Sequence, residues 1–157
     1  MRGARTLETV PRLQSIHLAK ATRLPMRAFD SAEVEAGRGI IGDRYHGTKH
    51  RHVTVQSAES LAEATAAYGA DVPAELTRRN LTVDGGRVPR EPGARITVGP
   101  VVLEVVRVAA PCKLLDDTLG RGAQEALRRR GGSIFRVLEG GEISLGVPVL
   151  LEPTPAD

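Results

Sequence analysis

The sequence predicts a β-rich α+β domain: a partly closed barrel with two or three short helices. Three observations lead to that class. Short runs rich in Val, Leu and Ile recur along the chain, each bounded by glycine or proline, and only two or three stretches carry helical spacing. The 157 residues include 17 Gly and 10 Pro, so the backbone turns often. Aromatic residues make up 3% (Phe29, Tyr45, Tyr68, Phe135) and Trp is absent, so the core must be aliphatic. The length suits one domain. The expected organisation is an N-terminal extension at 1–12, a single domain at 13–151 and a polar, Pro-containing tail at 152–157.

Taken in order, Leu13–Ala19 reads as a strand whose alternation breaks near His17. Ser31–Glu35 reads as strand or turn. Gly37–Gly47 carries four glycines in eleven residues and is a loop shaped by backbone demands. Val53–Val55 is a short strand. Ser57 has the character of an N-cap for a helix over Ala58–Tyr68, with Leu61, Ala64 and Tyr68 at helical spacing and Gly69 as its stop. Pro73 suits the first turn of a second helix running through Arg78. Leu81–Val83 is a strand followed by the turn Asp84–Gly86. Arg95–Val98 and Val101–Val108 form a hairpin around Gly99-Pro100. Its second arm is apolar on both faces except at Glu104 and Arg107, as a central strand is. Gln124–Arg130 is a helix closed by Gly131-Gly132. Ile134–Leu138, Ile143–Leu145 and Val147–Leu151 are the last strands. A barrel best removes the exposed edges that so many short strands would leave.

Composition narrows the function classes. Net charge is +3, from 19 Arg and 3 Lys against 19 acidic residues. So small an excess, with almost no aromatics to stack on bases, argues against a nucleic-acid partner. An anionic small molecule suits it equally well. No apolar run reaches the ~20 residues of a transmembrane helix, and no apolar stretch follows the basic N-terminus as in a secretory signal. One cysteine excludes an intramolecular disulfide framework. The expected setting is the cytoplasm, without a membrane partner.

Four features carry possible chemistry. Cys112 is the sole thiol and follows the longest strand across Ala109-Ala110-Pro111, with Lys113 beside it. A neighbouring cation favours the thiolate, which attacks electrophiles and ligates soft metals. The bland reading is a buried, inert cysteine behaving as a small hydrophobe. Next, Gly42–Gly47 encloses Asp43, Arg44, Tyr45 and His46. Such a loop can offer backbone N–H groups and side-chain donors to an anion, or can simply be a charged surface turn. The spacing of His46, His50 and His52 admits a zinc site completed by Cys112, although Lys49 and Arg51 between the ligands favour a solvated basic loop. Arg78-Arg79-Asn80 stands at a helix-to-strand junction. Arginine offers a planar fork to phosphate or carboxylate, and Asn offers both donor and acceptor. The alternative is a cationic helix end capped by Asn80.

In sequence order these pieces resemble the MOSC domain, the fold named for the C-terminal part of molybdenum-cofactor sulfurase. The resemblance rests on GIIGDRYHG (Gly39–Gly47), VTVQSAESL (Val53–Leu61), RRNLTVDGG (Arg78–Gly86), the stretch Pro92–Asp116 ending in APCKLLD, and GGSIFRVLEGGEISLG (Gly131–Gly146). It spans Leu13–Leu151. Many relatives have Gly-Asp where this chain has Gly146-Val147. The resemblance implies a bent, barrel-like fold and a site around Cys112, the residue that in such domains ligates molybdenum or carries sulfur as a persulfide. By similarity Arg78 and Asn80 position the molybdenum cofactor, an anionic pterin (molybdopterin). Asp43, Arg44 and His46 line the same cleft, and Arg44, Arg78 and Lys113 receive the cofactor's phosphate. The implied activity is an oxidoreductase acting on N-hydroxylated or similar small molecules, served by an electron-donor protein. A second implication is a sulfur carrier loaded by a donor such as a cysteine desulfurase, since persulfide is a reversible cap on cysteine. A third is a non-catalytic anion- or partner-binding module. Pyridoxal phosphate binding is an association of the family, and a homodimer would complete a shared cleft.

Overall fold

The computed structural model describes residues 10–110, 119–128 and 130–151. Cys112, Lys113 and the tail at 152–157 lie outside the described residues, as does most of the 1–12 extension. The strands are β1 (Leu13–Leu18), β2 (Arg27–Phe29), β3 (Ser31–Glu35), β4 (Gly39–Ile40), β5 (Val53–Ser57), β6 (Leu81–Val83), β7 (Arg95–Val98), β8 (Val101–Val108), β9 (Ser133–Glu139), β10 (Gly141–Ser144) and β11 (Val149–Leu150). Helix α1 spans Ala58–Tyr68 and α2 spans Ala123–Ala126.

Eight strands form one sheet in the order β11-β7-β8-β9-β5-β6-β1-β2, and β10-β3-β4 form a second. The strand order does not return to its start, so the expected barrel is open by strand pairing. A short backbone tie spans the gap at one end. Arg12 bridges Pro148, Leu13 N donates to Val147 O (3.0 Å) and Val149 N donates to Pro11 O (2.8 Å). β5 and β6 pair in parallel, and α1 lies in the connection between them, as a parallel pair requires a crossover.

Alternation along these strands separates two cores. Ile16, Leu18, Val53, Val55, Leu81, Val83, Leu103, Val105 and Phe135 fill the inner one, and Phe135 is the sole fully buried aromatic among the described residues. Leu61, Ala64, Val72, Ala123 and Leu127 form a smaller cluster under α1 and α2. The odd members of β5 and β6 are polar: Thr54, Gln56 and Thr82 are all buried, and Gln56 Nε2 donates to Thr82 Oγ1 at 2.9 Å.

α1 has the expected ends. Ser57 Oγ accepts from Ser60 N (3.1 Å), and Gly69 takes φ 83° as it donates to Thr65 O. The expected second helix is only a 3-10 turn at Ala74–Leu76. Thr77 Oγ1 donates to Ala74 O, and Arg78 turns to φ 67°, which no helix continues through. β2 is an addition to the expected strands. It pairs with Ile16–Leu18, and all three of its residues are exposed.

Candidate functional site

The three consecutive residues Arg78, Arg79 and Asn80 connect the 3-10 turn to β6, and each reaches a different element. Arg78 Nη1 donates to Leu24 O at 2.8 Å, tying the β1–β2 connection. Its carbonyl accepts from Arg44 Nη2 at 3.3 Å. Its left-handed backbone is strained for a β-carbon-bearing residue, a feature that collects at functional sites. Arg79 is buried. Its Nε donates to Gly131 O (2.9 Å), and Nη2 donates to Ala109 O (3.3 Å) and Ala110 O (3.0 Å). One guanidinium therefore holds the exit of β8 against the start of β9. Asn80 is buried as well. Its Oδ1 accepts from Thr54 N (3.0 Å), its Nδ2 donates to His17 O (3.1 Å), and its own N–H donates to Thr54 Oγ1 (2.8 Å). It fastens β1, β5 and β6 together.

The glycine loop meets this segment through Arg44. Asp43 has a fully buried carboxylate that accepts from Ala19 N (3.1 Å), Tyr45 N (3.2 Å) and Arg44 Nη1 (3.2 Å). Arg44 is itself only 6% exposed in its side chain, and Nη1 also reaches Met26 Sδ. Burial of both charges is tolerated because each is hydrogen-bonded on several sides. The Tyr45 ring lies 4.4 Å from the Arg44 guanidinium and 4.5 Å from that of Arg51. His46 follows in the same loop, and its Nε2 pairs with Glu35 Oε1 at 2.7 Å.

Two buried histidines have clear electrostatic character. Burial lowers the pKa of His17, with Glu75 opposing the shift. Its backbone N–H donates to Asn80 O at 2.7 Å, which places it beside the same segment, and its ring Nδ1 has no hydrogen-bond partner among the described residues. Burial also lowers the pKa of His52; the Thr48 carbonyl opposes this, while Arg136, His50 and His46 add to it. His52 Nε2 donates to Thr48 O (2.8 Å) and Nδ1 accepts from Val137 N (3.0 Å), so the ring is a neutral fastening with no lone pair left for a metal. Among the described residues no group of three or more His, Cys, Asp or Glu is placed to hold a metal ion.

Of the residues singled out in the sequence, Asp43, Arg44, Arg78 and Asn80 come together, and His46 stands at the edge of the same loop. Cys112 and Lys113 lie outside the described residues; Ala110, two residues before Cys112 in the chain, is the last one held by Arg79. Sequence reasoning missed the tethering role of Arg79 and the closeness of His17. Both depend on distances between strands far apart in sequence. The broken alternation at His17 was the one local sign. Chemically, three guanidiniums gathered within one segment and its neighbour create a field suited to an anionic group. Arg78 is the half-buried member, and all three guanidiniums hold protein acceptors.

No helix among the described residues is long and apolar enough to cross a membrane. No curated protein matches the chain. Among solved structures it is similar to the YUAD protein from Bacillus subtilis, with 16% identity, a TM-score of 0.82, and coverage of 94% of this chain and 98% of that one. It is also similar to YiiM from Geobacillus stearothermophilus (20% identity, TM-score 0.68, covering 88% and 74%) and to YiiM from Escherichia coli (17% identity, TM-score 0.66, covering 93% and 72%). At these identities the likeness concerns the fold. A family profile described as MOSC domain matches residues 42–150, a stretch that takes in the glycine loop, the Arg78–Asn80 segment and the exit of β8. That match covers well over half of the sequence, and the chain belongs to the MOSC domain family.

Proposed function

We propose that this MOSC domain binds the molybdenum cofactor, with Cys112 as thiolate ligand of the metal, and acts as an oxidoreductase on N-hydroxylated or similar small molecules. The supporting observation is the Arg79 tether. It fixes the Arg78–Asn80 segment against Ala109 and Ala110, on the chain's approach to Cys112. The donor chemistry fits: guanidinium groups match the phosphate of a pterin, and a soft thiolate matches molybdenum. When bound, the cofactor supplies the metal centre for electron transfer. Arg78 binds the phosphate, with Lys113 as a second cation. Asn80 acts by position, keeping Arg78 at the entry to β6. Asp43 holds Arg44 in line, and His46 closes the edge of the loop. An electron-donor protein supplies reducing equivalents.

The test is elemental analysis together with intact mass on freshly prepared protein and on Cys112→Ser. Molybdenum and pterin that copurify with the wild type and vanish in the variant support the proposal. A sulfur adduct removed by reductant, without metal, replaces it with the sulfur-carrier reading and a cysteine desulfurase as the donor. Neither metal nor adduct, with an unchanged cellular phenotype in the variant, leaves an anion- or partner-binding module.

A further inference from the structure

A cavity of about 300 Å³ opens between α1 and the segment that joins β6 to β7, lined by Ser57, Ser60, Arg87, Val88, Arg90, Glu91 and Gly132. None of these residues belongs to the Arg44–Arg78 cluster. The wall is built rather than loose. Val88 is buried in the inner core, Pro89 O accepts from Ser133 Oγ at 2.7 Å, and Glu91 O accepts from Ala94 N at 3.0 Å. With Val88 turned inward, Arg87 and Arg90 stand exposed on either side of it. Arg87 forms an exposed pair with Glu63 (2.6 Å), which leaves most of its fork available. Arg90 has no hydrogen-bond or ion-pair partner among the described residues. In the same lining, Ser60 Oγ accepts from Ser57 Oγ at 3.2 Å and keeps its own proton to donate. Among the described lining residues Glu91 is the single carboxylate, an acceptor.

We propose that this cavity is a binding site for a small phosphate monoester. The phosphate sits against Arg90, Arg87 and the Ser60 hydroxyl, and a hydroxyl or amine of the organic part donates to Glu91. Charge-assisted bonds from a guanidinium fork suit a tetrahedral dianion. Glu91 repels a bare anion and rewards one carrying a neighbouring donor. The volume lies at the small end of ligand sites, which fits a compact ester. The site stands whether or not a cofactor binds near Cys112.

The test titrates the isotopically labelled full chain with inorganic phosphate and with glycerol 3-phosphate, following backbone amide shifts. The expected result is saturable binding that perturbs Ser60, Arg90 and Gly132, weakens with added salt, and is tighter for the ester. Arg90→Ala, an exposed substitution, weakens both by about tenfold or more. Glu91→Gln tightens inorganic phosphate and narrows the margin between the two probes. The control Arg121→Ala changes neither. The proposal is overturned if Arg90→Ala binds like the wild type, if the shifts centre on Arg44 and Arg51, or if neither probe saturates. An ester that binds no better than phosphate overturns the role given to Glu91.

Discussion

Asp43 shows how one side chain can organise a loop. Its fully buried carboxylate satisfies two backbone N–H groups from separate stretches and holds the nearly buried Arg44 guanidinium. Removing it leaves a buried cation and two unpaired donors. Asp43→Ala is expected to cost about 3–5 kcal/mol, a large share of the ~5–15 kcal/mol that holds a domain of this size, measured by denaturant unfolding. Asn80→Ala, which loses neutral hydrogen bonds only, is expected to cost about 2–3 kcal/mol. If Asp43→Ala proved the milder of the two, the central place given to the carboxylate would be wrong. The histidines add a pH dependence. His17 and His52 are held neutral by burial, so the unfolded chain binds more protons than the folded one below the ordinary histidine pKa of ~6.5. Their stabilisation is complete above that pH and is lost as the pH falls toward the lowered folded values. Each group contributes at most ~1.4 kcal/mol per pH unit. Melting temperature is therefore expected to drop from pH 7 to 5.5, and less steeply in His17→Gln; equal slopes in the two proteins would rule His17 out as a contributor.

At the level of elements, Gly132 and Gly69 have different burdens. Both sit at positive φ. Among the described residues a β-carbon at Gly69 meets nothing within 4 Å, whereas at Gly132 it would fall 1.8 Å from Val55 O. Gly69→Ala is expected to cost about 1–2 kcal/mol through backbone strain alone. Gly132→Ala must displace β5 or β9 and is expected to yield little folded protein, read from soluble expression and circular dichroism. Elements with strong local signals were legible in advance. The helix Ala58–Tyr68 and the strand Val101–Val108 have the bounds their patterns predict, because a cap, a stop and a long aliphatic run each act locally. β2 was not legible: Arg-Ala-Phe has no alternation, and it becomes a strand only because β1 offers an edge. The helix expected at Gln124–Arg130 narrows to Ala123–Ala126, since Leu127 already leaves regular helix as its C-cap. Within the site, Asp43, Arg44, Arg78 and Asn80 were legible as polar groups in glycine-rich or junction contexts. Arg79 was named with its neighbours, but its tethering role was not legible, because nothing local distinguishes a guanidinium that caps three carbonyls from one that faces water.

For the whole molecule, the tie between Pro11–Leu13 and Val147–Val149 decides how the sheet behaves at its opening. The donors Leu13, Gly146 and Val149 hold bonds of 2.8–3.0 Å across it. If the tie is part of the cooperative fold, these three amides exchange with solvent only on global unfolding, at rates close to those of the β8–β9 core. Rates nearer those of a frayed terminus would mean that the opening breathes independently. The same tie carries a consequence for chain connectivity. It brings the start of the first strand alongside the start of the last, so the covalent order of the strands is not what holds the ring of contacts together. A circularly permuted chain, with residues near 11 and 151 joined by a short flexible linker and new termini opened at exposed Ala70–Asp71, should fold to the same structure.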